Sequence, residues 1–147
     1  YPIRYPGTWD TDDPQRRALH FGEATLTFPQ TLVLRYGRFE PRARRQPQVV
    51  EDYGRWFLAR LRTLEPLLAE REFLCAERFT AADVSVGYAL LLARHLGFDG
   101  QFTPSVRSYW ERLQARPAFR RALAAEREAA IEQGVSATPA PDTPGPD

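Results

Sequence analysis

The stretch RFTAADVSVGYALLLARHLG, residues 78–97, carries the strongest local signals in the sequence and predicts where a helix begins. Thr80 is followed three residues later by Asp83, the spacing of a capping box with Asp in place of Glu. The Asp83 carboxylate can accept from the Thr80 N–H, while Phe79 and Val84 flank the cap as a hydrophobic staple. The residues that follow, as far as Leu96, are apolar on nearly every side. We therefore predict that this helix is the central, buried one of its domain.

Further helices are predicted on both sides of this segment from apolar periodicity and from proline at helix starts. They cover residues 13–39, 48–69, 104–115 and 117–133. In the first of them Asp13 is the expected N-cap, and Pro29 predicts a kink or break near Thr25 to Phe28 because proline has no N–H to donate. No alternating strand pattern is found. The fold class predicted is all-α, a bundle of about five or six helices.

The ends of the chain have a different composition from its middle. Residues 1–12 are expected to form a linker, residues 13–133 the helical domain, and residues 134–147 a disordered Pro-rich tail. The 147 residues suit one domain with a real core, and a net charge of +1 gives no general attraction to nucleic acid or to a membrane surface. No apolar run approaches the roughly 20 residues of a membrane span. With a single cysteine, these features favour a cytoplasmic protein.

Three segments resemble the C-terminal helical domain of cytosolic glutathione transferases, and their order matches as well. They are RALHFGEATLTFPQ, FTAADVSVGYALLLARHLG and SYWERLQARPAFRRALAAE. The second holds the Thr80–Asp83 cap of the central helix, and the third holds an ARPAF junction, residues 115–119, between the last two helices. The resemblance spans about residues 13–127. The use of arginine for every basic residue is typical of a GC-rich, bacterial genome.

The resemblance implies a role in glutathione conjugation that this chain performs only in part. In the family, a thioredoxin-like N-terminal domain binds most of the glutathione and supplies the catalytic residue, and no segment of this chain resembles that domain. We therefore expect no catalytic residue here, and the sequence leaves open whether that domain was removed or is naturally absent. The expected contributions are a pocket for a hydrophobic small-molecule electrophile and part of a homodimer contact. No metal is expected.

The aromatic side chains of the first helix are the candidates for the pocket. Phe21, Phe28, Tyr36 and Phe39 exceed what one buried helical stripe needs, and ligand pockets favour domain interfaces. Packing in the core explains any single one of them at least as well. The resemblance also implies that Glu23 and Arg35 lie near the glutathione site or the dimer contact.

Other residues that can carry chemistry have plainer explanations. Asp83 is a predicted buried carboxylate, but its capping role accounts for its type and its spacing. Cys75 has no partner cysteine and is expected to be a buried structural thiol. His20 and His95 lack further ligands at metal spacing. The basic cluster of Arg42, Arg44 and Arg45 is expected to lie in a solvated loop. The aromatic residues Tyr109 and Trp110 are expected to pack against neighbouring helices.

A second function remains possible at this stage. Helical domains of this kind also serve as non-catalytic protein-interaction modules in translation factors and synthetase assemblies. A chain without the thioredoxin-like half fits that role directly. The sequence favours the transferase because the resemblance is greatest to bacterial enzymes.

Overall fold

The computed structural model describes residues 14–75 and 78–138, and every regular element within those ranges is helical. The all-α prediction is therefore confirmed for the described part of the chain. Within it, no helix is both long enough and apolar enough to cross a bilayer. The predicted cap Asp13, the predicted linker and most of the predicted disordered tail lie outside the described residues.

Within the described residues the α-helices form five continuous runs, close to the predicted boundaries, and two short 3-10 turns, Arg42–Arg44 and Asp99–Gln101, lie between runs. The first run contains α1 (Pro14–His20), a π-helical segment (Phe21–Thr27), α2 (Phe28–Leu34) and a second π-helical segment (Arg35–Phe39). The second contains α3 (Pro47–Leu61), a 3-10 turn (Arg62–Leu64) and α4 (Glu65–Glu70). The other three are α5 (Ala81–His95), α6 (Pro104–Ala115) and α7 (Pro117–Glu132).

Prolines change the type of helix in the first two runs without ending it. Pro29 cannot donate to the carbonyl of Thr25, and the chain before it is π-helical rather than broken. Pro66 likewise cannot donate to the carbonyl of Arg62, and a 3-10 turn precedes it. The break expected near residues 25–28 is thus a change of hydrogen-bond register within one continuous helical run.

The core forms around α5, which contacts both the first run and α6. Val86, Ala89, Leu90 and Ala93 of α5 are completely buried, and α3, α4 and α6 contribute most of the other core side chains. Gln30 is a completely buried amide in α2. Its Nε2 donates to the carbonyl oxygens of Leu26 and Ala89, each at 3.0 Å, and so ties α2 to α5.

Two contacts bring the first run especially close to α5. The Ser85 hydroxyl donates to the Leu19 carbonyl oxygen at 2.8 Å. A Cβ added at Gly22 would lie 2.4 Å from Ser85 Oγ and 2.8 Å from the Ser85 carbonyl carbon. Only glycine allows the two backbones to cross at this distance.

The last two helices differ in how firmly they are held. Glu65 at the start of α4 accepts from the Ser105 N–H at 3.1 and 3.2 Å, and so caps α6 from a neighbouring element. α7, in contrast, has no fully buried residue. Its main aromatic contact is an edge-to-face pair between Phe119 and Trp110, with ring centroids 5.6 Å apart. α7 is therefore the most weakly packed of the long helices.

Candidate functional site

The Asp83 carboxylate is the centre of the most extensive buried polar cluster that the described residues form. Its Oδ2 accepts from the Thr80 N–H at 2.8 Å, which is the Asp83 half of a capping box at the start of α5, and also from the Thr80 hydroxyl at 3.1 Å. Its Oδ1 accepts from the Leu74 N–H at 3.0 Å and from the Tyr109 hydroxyl at 2.9 Å. One side chain thus fixes the start of α5, the preceding loop and α6.

This arrangement leaves Asp83 no capacity for chemistry on a substrate. Four donors surround its two oxygens, and the residue is 1 % exposed. Burial, together with the negative charge of Asp83, raises the pKa of the Tyr109 hydroxyl far above its usual range. Tyr109 therefore stays protonated and keeps donating. The cluster connects three elements of the fold, which agrees with the structural role that its capping position predicts.

One side of α5 contradicts the prediction that this helix is buried all round. Val84 is 58 % exposed and Tyr88 is 57 % exposed, although both lie in the apolar segment that was predicted to form the buried central helix. The reason is geometric: residues at positions i and i+4 share one face of a helix, and no described element covers that face. A groove lies on each side of Val84 and Tyr88. We call these two residues, together with the two grooves, the α5 face.

Two grooves flank these exposed side chains. The α5–α7 groove has a volume of about 320 Å³ and is lined mainly by apolar side chains, among them Phe79, Val84, Tyr88, Leu91, Phe119 and Leu123. The α1–α5 groove, wider and more open at about 660 Å³, lies on the other side of Val84 and Tyr88 and is lined by Leu19, Glu23, Thr27, Ala81, Val84, Ser85 and Tyr88. The α5 face is therefore a continuous, largely apolar surface in contact with solvent.

The Arg116 guanidinium stands at one end of the α5–α7 groove. It lies over the Phe79 ring at 3.7 Å from the ring centroid, and Phe79 in turn packs edge-to-face on Phe73. Phe79 was predicted as half of a hydrophobic staple with Val84, and both residues line this groove. The stacking of Arg116 keeps this end of the groove in place.

The aromatic residues that the sequence nominates for a pocket are spread along the first run. Phe28 is 53 % exposed and Phe39 is 48 % exposed. Phe21 is half-buried, packs against the core and lines a groove of about 420 Å³ beside Arg71 and Leu74. Tyr36 is half-buried beneath the Arg35 guanidinium, 5.3 Å from its ring centroid. They share one helical run without lining one common groove among those described above.

The charged residues nominated from the sequence have two different surroundings. Glu23 lies on the α5 face, in the α1–α5 groove. Arg35 forms an ion pair with Glu40 at 3.1 Å, at the end of the first run. Of the predicted basic loop, Arg44 also pairs with Glu40, and Arg45 donates to the carbonyl oxygens of Glu40 and Arg38. Arg42 is exposed.

The remaining candidates lie apart from one another. Cys75 is half-buried with a free thiol, and His20 is exposed on α1. His95 lies at the end of α5, where burial lowers the pKa of its imidazole and the Arg38 guanidinium donates to its carbonyl oxygen at 2.9 Å. Within the described residues, no cluster of three or more potential ligands could hold a metal ion.

The α5 face was not predicted from the sequence, although its residues form a second apolar stripe along this helix. Val84, Tyr88 and Leu91 follow the i, i+4, i+7 spacing of one helical stripe. The buried Val86, Leu90 and Ala93 follow the same spacing on a second stripe. A helix with two separate apolar stripes can use one for its own core, and the second can face either more of that core or a partner.

Comparison with known proteins gives matches at the level of structure. No protein-family model and no curated protein matches the sequence. The glutathione transferase Ure2p5 from Phanerochaete chrysosporium superposes with a TM-score of 0.74 at 26% identity, covering 86% of this chain and 59% of that one. Its structure cocrystallized with 1-(S-glutathionyl)-2,4-dinitrobenzene gives 0.73 at 26% identity, covering 85% and 60%. A glutathione S-transferase from Methylobacillus flagellatus with glutathione bound gives 0.64 at 20% identity, covering 82% and 61%.

These matches establish which fold the chain has. It is the all-α fold of the C-terminal domain of glutathione transferases, as the sequence resemblance predicted. The chain spans about 60% of the length of the solved transferases it matches.

Proposed function

We propose that this chain is the helical half of a glutathione transferase, and that it forms the apolar wall of the electrophile pocket and part of the dimer contact. The observation that carries the proposal is the fold match, in which about 85% of this chain corresponds to about 60% of each transferase. One of those transferases, Ure2p5, was crystallized with a glutathione conjugate of dinitrobenzene. We infer the same class of reaction for the complete protein encoded by the gene.

The α5 face is our candidate for the surface on which a thioredoxin-like domain docks. Exposed apolar patches rimmed by polar residues mark interaction sites, and Val84, Tyr88 and the two grooves form such a patch. The α5–α7 groove, at about 320 Å³ and with an apolar lining, suits one or two large apolar side chains of the docked domain. Docking there would also cover α7, which has no fully buried residue by itself.

The proposed chemistry is the attack of the glutathione thiolate on an electrophilic carbon. A carbon–sulfur bond forms, a leaving group such as chloride departs with its electron pair, and the thiol proton passes to solvent. The docked domain would hold glutathione and lower the pKa of its thiol by hydrogen bonding to the thiolate. The part of this chain is to exclude water and to orient an apolar electrophile.

We place the electrophile wall on the first helical run. Phe28 and Phe39 are exposed, which allows them to contact a small apolar molecule. Phe21 and Tyr36 belong to the same helical run and are half-buried. Phe28 directly follows Thr27, which lines the α1–α5 groove of the proposed docking surface, and ligand sites usually lie at the boundary of two domains. By the same resemblance we propose that the complete protein is a homodimer that removes toxic electrophiles in the bacterial cytoplasm.

Conjugation of glutathione with 1-chloro-2,4-dinitrobenzene tests this proposal, because the product is the compound crystallized with Ure2p5. We expect the complete protein to catalyse the reaction and the 147-residue chain to show no rate above the uncatalysed one. Phe28→Ala in the complete protein should raise the KM for the electrophile and leave the KM for glutathione unchanged. Turnover by the 147-residue chain alone would refute the proposal, as would an inactive complete protein.

Docking through the α5 face has a separate test. Because its α5 face is apolar and exposed, the 147-residue chain should bind a hydrophobic dye. Val84→Glu places a charge in the middle of the face and should abolish that binding. In the complete protein it should lower the melting temperature. Ile131→Glu is the matched control, because Ile131 is 63 % exposed on α7 and does not line either groove. Equal effects of both substitutions would show that the α5 face is ordinary surface.

A further inference from the structure

The α1–α5 groove has an unusual hydrogen-bonding character. Its polar groups are the Glu23 carboxylate, the hydroxyls of Thr27 and Ser85, and the Tyr88 phenol. The Thr27 hydroxyl donates to the Gly22 carbonyl oxygen at 2.9 Å, and the Ser85 hydroxyl donates to the Leu19 carbonyl oxygen at 2.8 Å. Both hydroxyl protons are therefore already used, and these two oxygens can offer only lone pairs to a ligand.

The charge of the groove also favours a ligand that donates hydrogen bonds. The Glu23 side chain is exposed on the π-helical segment, and a carboxylate accepts hydrogen bonds without donating any. None of the described residues that line the groove is basic, although the chain contains 20 arginines. Apart from the Tyr88 hydroxyl, which can donate or accept, the polar groups of the groove are acceptors and one of them is negatively charged. Such a surface is complementary to a cation that carries several donors.

The shape and the aromatic lining of the α1–α5 groove favour a guanidinium over an ammonium group. Tyr88 is 57 % exposed, so one face of its ring can stack on a planar group, and Leu19 and Val84 provide apolar contact beside it. A guanidinium is planar, has five donors in fixed directions and stacks on aromatic rings, whereas an ammonium is compact and strongly hydrated. The acceptors are distributed over two helices, which suits the several divergent donors of a guanidinium.

We propose that the α1–α5 groove receives the guanidinium group of an arginine presented by the domain that docks on the α5 face. This rests on the proposed function only for the source of the arginine. Glu23 accepts its charged hydrogen bonds, Tyr88 stacks on its plane, and the oxygens of Thr27 and Ser85 accept from its remaining N–H groups. The groove thus supplies the polar and specific part of the docking surface, and the α5–α7 groove supplies the apolar part.

The first experiment measures the recognition itself on the 147-residue chain. Nα-acetyl-L-arginine amide is titrated and followed by NMR, with Nα-acetyl-L-citrulline amide as a neutral compound of the same shape. We expect the arginine compound to shift the amide resonances of Glu23, Ser85 and Tyr88, and to bind at least about fivefold more tightly than the citrulline compound. Glu23→Gln should remove that preference, and Glu128→Gln, on the exposed surface of α7, should not. Equal binding of the two compounds, or no shift at these residues, would overturn the proposal and leave the conjugation assay unaffected.

A second experiment identifies the source of the arginine. Glu23→Gln should lower the melting temperature of the complete protein and leave that of the 147-residue chain unchanged, because only the complete protein contains the docked domain. Glu128→Gln should change neither. A complete protein that conjugates glutathione normally but shows no loss of melting temperature with Glu23→Gln would overturn the arginine contact and retain the transferase. An equal loss in both proteins would show that Glu23 acts within the helical domain.

Discussion

Replacing Asp83 by alanine should cost far more stability than the loss of a helix cap. The substitution removes the acceptor of four donors, two of them the backbone N–H groups of Thr80 and Leu74. Each buried donor left without a partner costs about 1–3 kcal/mol, and hydroxyls can turn to other acceptors while backbone N–H groups cannot. We expect the free energy of unfolding to fall by about 3–5 kcal/mol, a large part of the roughly 5–15 kcal/mol typical of a domain.

Two milder substitutions keep this prediction testable if the alanine variant fails to fold. Asp83→Asn retains one carbonyl oxygen and turns an NH2 group toward the other pair of donors, so it should cost about 1–3 kcal/mol. Tyr109→Phe removes one of the four donors without stranding another group, and should cost about 1 kcal/mol. Because Tyr109 and Asp83 are in direct contact, the double variant should deviate from additivity by at least about 0.5 kcal/mol.

Urea unfolding followed by circular dichroism measures these values, with an unchanged m-value as the check that the same transition is observed. Asp52→Ala is the matched control. Asp52 is exposed and, within the described residues, accepts from the Gln48 side chain, so its loss should stay within about 0.5 kcal/mol. A loss below about 1 kcal/mol for Asp83→Ala would refute the argument that this carboxylate ties three elements together.

Two further predictions concern other elements of the bundle. Gly22→Ala should destabilise the domain by about 2 kcal/mol or more, because the new Cβ would overlap Ser85, whereas Gly100→Ala, with nothing within 4 Å, should be nearly neutral in the same urea experiment. The neighbouring Thr103 hydroxyl and the donating Ser105 N–H lower the pKa of Glu65. Its contribution to stability is therefore present above the ordinary carboxyl pKa of about 4.3 and is lost as the pH falls through the lower folded value. The stability difference between the unaltered chain and Glu65→Gln should therefore shrink on acidification, and a difference that is constant with pH would contradict this role.

The parts of the fold that sequence predicted well are those determined by local chemistry. Prolines set the starts of α6 and α7, and the Thr80–Asp83 pair set the start of α5, because each acts on its own backbone. The hydrogen bond between Tyr109 and Asp83 was not predictable in the same way. The two residues are 26 positions apart, and only the packing of α6 on α5 brings them together.

The candidate site shows a second kind of limit. Apolar side chains such as Val84 and Tyr88 give the same sequence pattern whether they face a core or a partner domain. Whether these side chains are exposed depends on how all the helices of the described chain pack together. The aromatic nominees of the first run remain predictions for the same reason, since an electrophile pocket depends on what lies opposite Phe28 and Phe39.

The weak packing of α7 has a consequence for how the domain opens. A helix with no fully buried residue can detach as a unit while α3, α5 and α6 keep their shared core. Its amide protons should then exchange with solvent through a partial opening, at a much lower free energy than those of α5. A partner bound to the α5 face would prevent α7 from detaching. The hydrogen-exchange protection of α7 should therefore rise on docking, although this helix contributes little to the core.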